Sequence, residues 1–211
     1  MSRPLAWLAC AAILAASPAS AATPLDDLIK PELKSSACFA RVYDAAHLRA
    51  HSKQKTAVIT VWMKYEDAGG AMALSVALAV TQRGDPAALF SQGGCDYQKA
   101  GNRDTSNKVL IKSYPKAAGF VCTQSAQPDV FEAVSAEEGG ALILDRGKAR
   151  DTLMVYLDDS LTMVKRANRG APLDIKFGAD DRVFLLRRTA PRDCAAVEEA
   201  VTEPEPGVRK R

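Results

Sequence analysis

The chain is poor in histidine: among 211 residues it has His47 and His51 alone. Imidazole is the side chain best suited to moving protons near neutral pH, so a catalyst built on this chain uses one of these two or works by other means. No CxxC pair occurs, and beyond position 10 the cysteines are scattered from Cys38 to Cys194, which excludes a compact four-thiol zinc site. HExxH is missing because Leu48 follows His47, and neither a GxSxG elbow nor a phosphate-cradling glycine loop is found. There is no Asn-x-Ser/Thr acceptor for glycosylation. After the first residues, no apolar run reaches the roughly 20 positions that a membrane-crossing helix needs. A formal charge of +3, about +2 without Arg3, speaks against a dedicated nucleic-acid binder.

What is present begins with an export signal. Arg3 precedes an apolar run from Leu5 to Ala16, and small residues follow to Ala21, so residues 1–22 read as a signal peptide cleaved after Ala21 or Ala22. Its removal takes Cys10 away and leaves Cys38, Cys95, Cys122 and Cys194, an even set for an oxidising compartment. The alanine- and arginine-rich composition suits a bacterial periplasmic or secreted protein. Four cysteines allow three connectivities. Cys95 and Cys122 flank candidate strands of one central region, whereas Cys38 opens the first ordered segment and Cys194 begins the last helix. The expected bonds are therefore Cys95–Cys122 and Cys38–Cys194.

Period-two alternation dominates after a polar lead-in over 23–36. The run 56–65 is rich in β-branched and aromatic residues and is followed by the turn "EDAGG" and by 71–80, where Met72, Leu74, Val76, Leu78 and Val80 alternate with Ala71, Ala73, Ser75, Ala77 and Ala79. Large residues on one face and tiny ones on the other predict a strand whose small face lies in a tight space, inside a small barrel or beneath a covering helix. A second hairpin is expected from 129–136, the turn "EEGG" and 141–145. Further strands are predicted at 87–91, 108–113, 119–124, 152–157, 161–165, 173–177 and 182–188. The fold class is mainly β, an antiparallel barrel or sandwich, with a short N-terminal helix near 44–52 and a C-terminal helix from Asp193, its expected cap. Residues 37–201 read as one domain, with the two Gly-Gly hairpins suggesting two similar β halves, and 202–211 as a disordered tail.

Three chemical candidates compete. On a helix over 44–52, Asp44, His47 and His51 share one face and form a weak candidate metal set, although Asp44 is equally placed as the helix N-cap. The acid pairs Glu137-Glu138, Asp158-Asp159 and Asp180-Asp181 sit in predicted turns, where carboxylates are usually solvated. Between Arg146 and Arg192 lie eleven Lys or Arg and no Glu. If strands 161–165 and 182–188 are neighbours, Lys165, Arg166, Arg187 and Arg188 form a patch for an anionic envelope component or an acidic protein. The expectation is an exported binding module without a cofactor, more readily than an enzyme. The alternative is a hydrolase using His47 or His51 with a carboxylate.

Overall fold

The computed structural model describes residues 22–98, 119–125, 139–165 and 171–202. Its strands are β1 (Ser36–Val42), β2 (Thr56–Ala68), β3 (Ala71–Gln82), β4 (Asp85–Gln98), β5 (Gly119–Ser125), β6 (Ala141–Arg146), β7 (Thr152–Leu157), β8 (Ser160–Met163), β9 (Leu173–Lys176) and β10 (Val183–Arg188). Among the described residues two α-helices accompany them, α1 (Ala45–Ala50) and α2 (Ala195–Thr202). Eight strands close a barrel in the order β1-β10-β7-β6-β5-β4-β3-β2, while β8 and β9 form a separate two-stranded sheet. Every neighbouring pair is antiparallel. Among the described residues the barrel is thus a meander interrupted where the β8–β9 hairpin leaves the wall between β7 and β10. Of the two architectures expected, the barrel is the one formed.

Alternation determines which side chains fill it. Phe39, Ile59, Val61, Met63, Leu78, Leu144, Leu153, Val155 and Leu186 point inward and are fully buried, joined by Phe184. Burying a side chain of this size contributes about 1.5–3 kcal/mol, so the interior is the main source of stability. The small face of β3 lies outside the barrel. Ala77 and Ala79 sit beneath α2 with Trp62, Cys38, Cys194 and Val197, and Trp62 is paired across the ladder with Ala77. A large indole beside a methyl leaves a seat for the helix, which is the covering-helix alternative read from the alternation.

Both barrel ends are covered by chain. Residues 23–36 are more than a polar lead-in: the turn there carries Leu25, Leu28 and Ile29 into the main core, at the end where β1 begins. At the other end the β8–β9 hairpin contributes Leu161 and Met163 to the same core. Gly140 permits that approach, because its φ is 78° and an added Cβ would lie 2.3 Å from Ser160 O.

Several strand boundaries differ from the sequence reading. β1 was not anticipated as a strand, and β4 runs from Asp85 to Gln98 where 87–91 was expected. The helical turn at the C terminus starts at Pro191 in 3₁₀ form, so Asp193 lies inside it and its carboxylate accepts the Thr189 hydroxyl instead of capping α2. The candidate strands 108–113 and 129–136, the acid pair Glu137-Glu138, the signal peptide before Ala22 and the tail beyond Thr202 lie outside the described residues.

The two disulfides join Cys38 to Cys194 and Cys95 to Cys122, with Cα separations of 5.8 and 4.0 Å. This is the connectivity expected from the sequence. Cys95 and Cys122 stand directly opposite each other on β4 and β5, so that bond locks a register. Cys38–Cys194 bolts α2 to the outside of β1.

Burial raises the ionisation of three tyrosines, Tyr43, Tyr65 and Tyr156, above the ordinary phenol value, with Asp26 adding to the effect at Tyr65. The fold therefore favours their neutral forms. Stability from this source is complete below about pH 10, where phenols in the unfolded chain begin to ionise, and is lost as pH rises through the higher folded-state values. Thermal melts between pH 9 and 11.5 should show a steep loss of stability that Tyr65→Phe makes shallower. An equally steep loss in the variant would remove Tyr65 from the cause.

Candidate functional site

At the end of the barrel where β1 finishes, the chain turns through Tyr43 into α1. Asp44 caps this helix, accepting the His47 backbone N–H at 2.7 Å, and that bond holds the Asp44 carboxyl below its usual range. Four side chains then stack in sequence. The Arg41 guanidinium lies 5.2 Å over the Tyr43 ring, Tyr43 stacks on His47 at 4.6 Å, and His47 stacks on His51 at 4.3 Å. His47 Nε2–H donates to Gln54 Oε1 at 3.0 Å, and the buried Gln54 donates through Nε2 to Thr56 O at 2.8 Å. The loop after α1 is thereby folded back onto β2.

This geometry does not assemble the set Asp44, His47 and His51. The Asp44 carboxylate is engaged with helix backbone, and imidazole lone pairs lie in the ring plane, so two rings stacked face to face do not aim at one ion. Among the described residues no group of three or more His, Cys, Asp or Glu is placed to hold a metal. The partner of His47 is a neutral amide, not a carboxylate.

The basic set is also dispersed. Lys165 follows β8 and bonds to Asp85 at 3.1 Å beside the β3–β4 turn. Together with the Ala87 backbone N–H, it holds the Asp85 carboxyl below its ordinary range, the N–H having the larger effect. Arg187 and Arg188 lie on β10, which pairs with β7 and β1 and not with β8. Arg188 turns toward the opposite end of the barrel, where it bonds to Asp151 at 3.2 Å and donates to Leu28 O. Arg166 lies outside the described residues. The neighbour relation that the patch required is absent because the β8–β9 hairpin leaves the barrel wall. A cleft of about 340 Å³ beside Arg188 is lined by Asp26, Asp27, Lys30, Ser35 and Ser36, and both of its acids are already engaged: Asp27 pairs with Arg146 and Asp26 accepts from Thr23.

The structure gathers a different group of cations. Arg83, at the β3–β4 turn, donates from Nη1 to Leu48 O at 2.9 Å, and its backbone N–H donates to Lys55 O at 2.7 Å. Arg49 on α1 and Lys53 and Lys55 in the following loop are brought to the same end, and all four side chains are exposed. The run "RAHSKQK" (49–55) carried the local part of this signal, overshadowed by its histidine; Arg83 joins only through folding.

Comparison with known proteins adds little to this geometry. No family model matches the chain, and no solved structure matches it. A stretch of 102 residues, 47% of the chain, is 33% identical to part of a protein described as Chitin synthase 1 from Phytophthora sojae (strain P6497). That stretch covers 11% of the relative. The chain therefore resembles a small portion of a much longer protein, and the likeness shows no family.

Proposed function

We propose that this chain is an exported binding module that recognises an anionic envelope component through basic side chains on its outer surface. The observation that supports this reading is the packed barrel. Phe39, Met63, Leu78, Leu144, Leu153 and Phe184 occupy the space in which larger barrels hold a ligand, leaving the outside for recognition. Two disulfides favour an oxidising compartment, and no helix among the described residues is long and apolar enough to cross a membrane.

The test is retention of the chain on immobilised heparin, a sulfated glycan, against unmodified matrix. Retention at low ionic strength should fall steeply as salt rises, because exposed charges further apart than about 10 Å are screened near 0.1 M. Passage through the heparin matrix unretarded at low salt would refute the reading.

A further inference from the structure

Resting on the reading above, we infer that the binding face is the α1 end of the barrel, formed by Arg49, Lys53, Lys55 and Arg83 around His51, and that its ligand is an acidic polysaccharide. What distinguishes these four cations is their clustering: Arg83 bonds to both Leu48 and Lys55, which holds it against α1 and the loop that carry Arg49, Lys53 and Lys55. Arg146, Lys165, Arg182 and Arg188 each meet a carboxylate, whereas Arg49, Lys53, Lys55 and Arg83 make no ion pair among the described residues. Arg49 also acts on the exposed Asp44 carboxylate beside it.

The acids at this end are largely committed. Asp44 accepts helix backbone, Asp85 pairs with Lys165, and Asp181 is buried against the backbone N–H groups of Lys55 and Thr56. Asp44, Asp159, Asp174 and Asp180 are exposed, with Asp159 paired to Arg182 and Asp174 accepting the Thr162 hydroxyl. Four exposed cations are thus gathered within α1, the loop after it and the β3–β4 turn, although the chain as a whole is close to balance.

The stacked rings select among polyanions. Arg41, Tyr43 and His47 cover one another's faces, and the series ends at the exposed His51 ring, close in sequence to Arg49 and Lys53. The C–H face of a sugar ring packs on such a surface, and guanidinium and ammonium groups take its carboxylate, sulfate or phosphate substituents. A linear polyphosphate offers the charge without the ring.

The experiment measures affinity of the full chain for dextran sulfate, uncharged dextran and polyphosphate at fixed salt. The variant Arg49→Glu/Lys53→Glu/Lys55→Glu should bind dextran sulfate at least tenfold more weakly. An equally charged control at the other end, Lys148→Glu/Arg150→Glu/Arg187→Glu, should change it less than twofold. All six side chains are exposed, and circular dichroism confirms folding. Dextran should not bind, and His51→Ala should bring dextran sulfate affinity down toward that for polyphosphate. Equal losses in the two triple variants would overturn the location while leaving anion binding intact. Polyphosphate bound as tightly as dextran sulfate would overturn the glycan class. Failure of the unaltered chain to bind either polyanion would remove the anion-binding reading itself.

Discussion

Replacing Cys38 and Cys194 together by alanine is expected to lower the unfolding free energy by about 4 kcal/mol, a large share of the roughly 5–15 kcal/mol that a domain possesses. The bond spans 156 positions. In the chain-entropy treatment, closing a loop of that length restricts the unfolded ensemble by about 5 kcal/mol, against about 3.5 kcal/mol for the 27-position loop of Cys95–Cys122. Removing Cys38–Cys194 also frees α2, whose Val197 is held over Trp62, Ala77 and Ala79. Urea unfolding of both alanine pairs under identical conditions provides the comparison. The Cys38/Cys194 pair should be the more damaging, and hydrogen exchange in α2 should accelerate before that in the barrel wall. An equal or smaller effect than the Cys95/Cys122 pair would mean that helix packing alone holds α2 in place.

The parts of this fold that were legible in the sequence are those that depend on local period. The runs 56–65 and 71–80 became β2 and β3 because their large residues, Ile59, Val61 and Met63 with Leu74, Val76 and Leu78, fall on one face and have one destination. β1 was hidden because it serves two cores at once: Phe39 points into the barrel and Cys38 outward under α2, so consecutive buried residues blur the alternation. β4 was shortened in the reading by Pro86, Gly93 and Gly94, which resemble strand breakers. Pro86 in fact stands near the strand's start, and Gly93 is required by crowding, since an added Cβ would lie 1.7 Å from Thr123 O. The candidate patch failed for a topological reason. Lys165 and Arg187 are close in sequence, but the excursion of β8 and β9 separates their strands, and spacing carries no trace of that departure. Conversely, Arg83 reaches Leu48 and Lys55 only through the closed barrel.

Asp181 exemplifies a residue whose role no sequence window reveals, and Asp181→Ala should destabilise the chain by about 3 kcal/mol. Read as one half of a solvated turn pair, it is instead buried, and its carboxylate oxygens accept the backbone N–H groups of Lys55 at 2.8 Å and Thr56 at 2.9 Å. The contacts span 126 and 125 positions. They tie the turn before β10 to the first residues of β2, the two strands that flank β1 in the barrel. Alanine removes two hydrogen bonds to a charged acceptor and leaves buried donors without partners, and each such loss costs on the order of 1.5–3 kcal/mol before relaxation. Asp181→Asn should cost less, because one carbonyl oxygen remains to accept one of the two N–H groups. Asp180→Ala, at the exposed neighbour, should change stability by no more than about 0.5 kcal/mol. Urea unfolding ranks the three variants, and hydrogen exchange at the Lys55 and Thr56 amides locates the effect. If Asp181→Ala unfolds within about 0.5 kcal/mol of the unaltered chain and those amides remain protected, the start of β2 is secured by its ladder and the side-chain pin is dispensable.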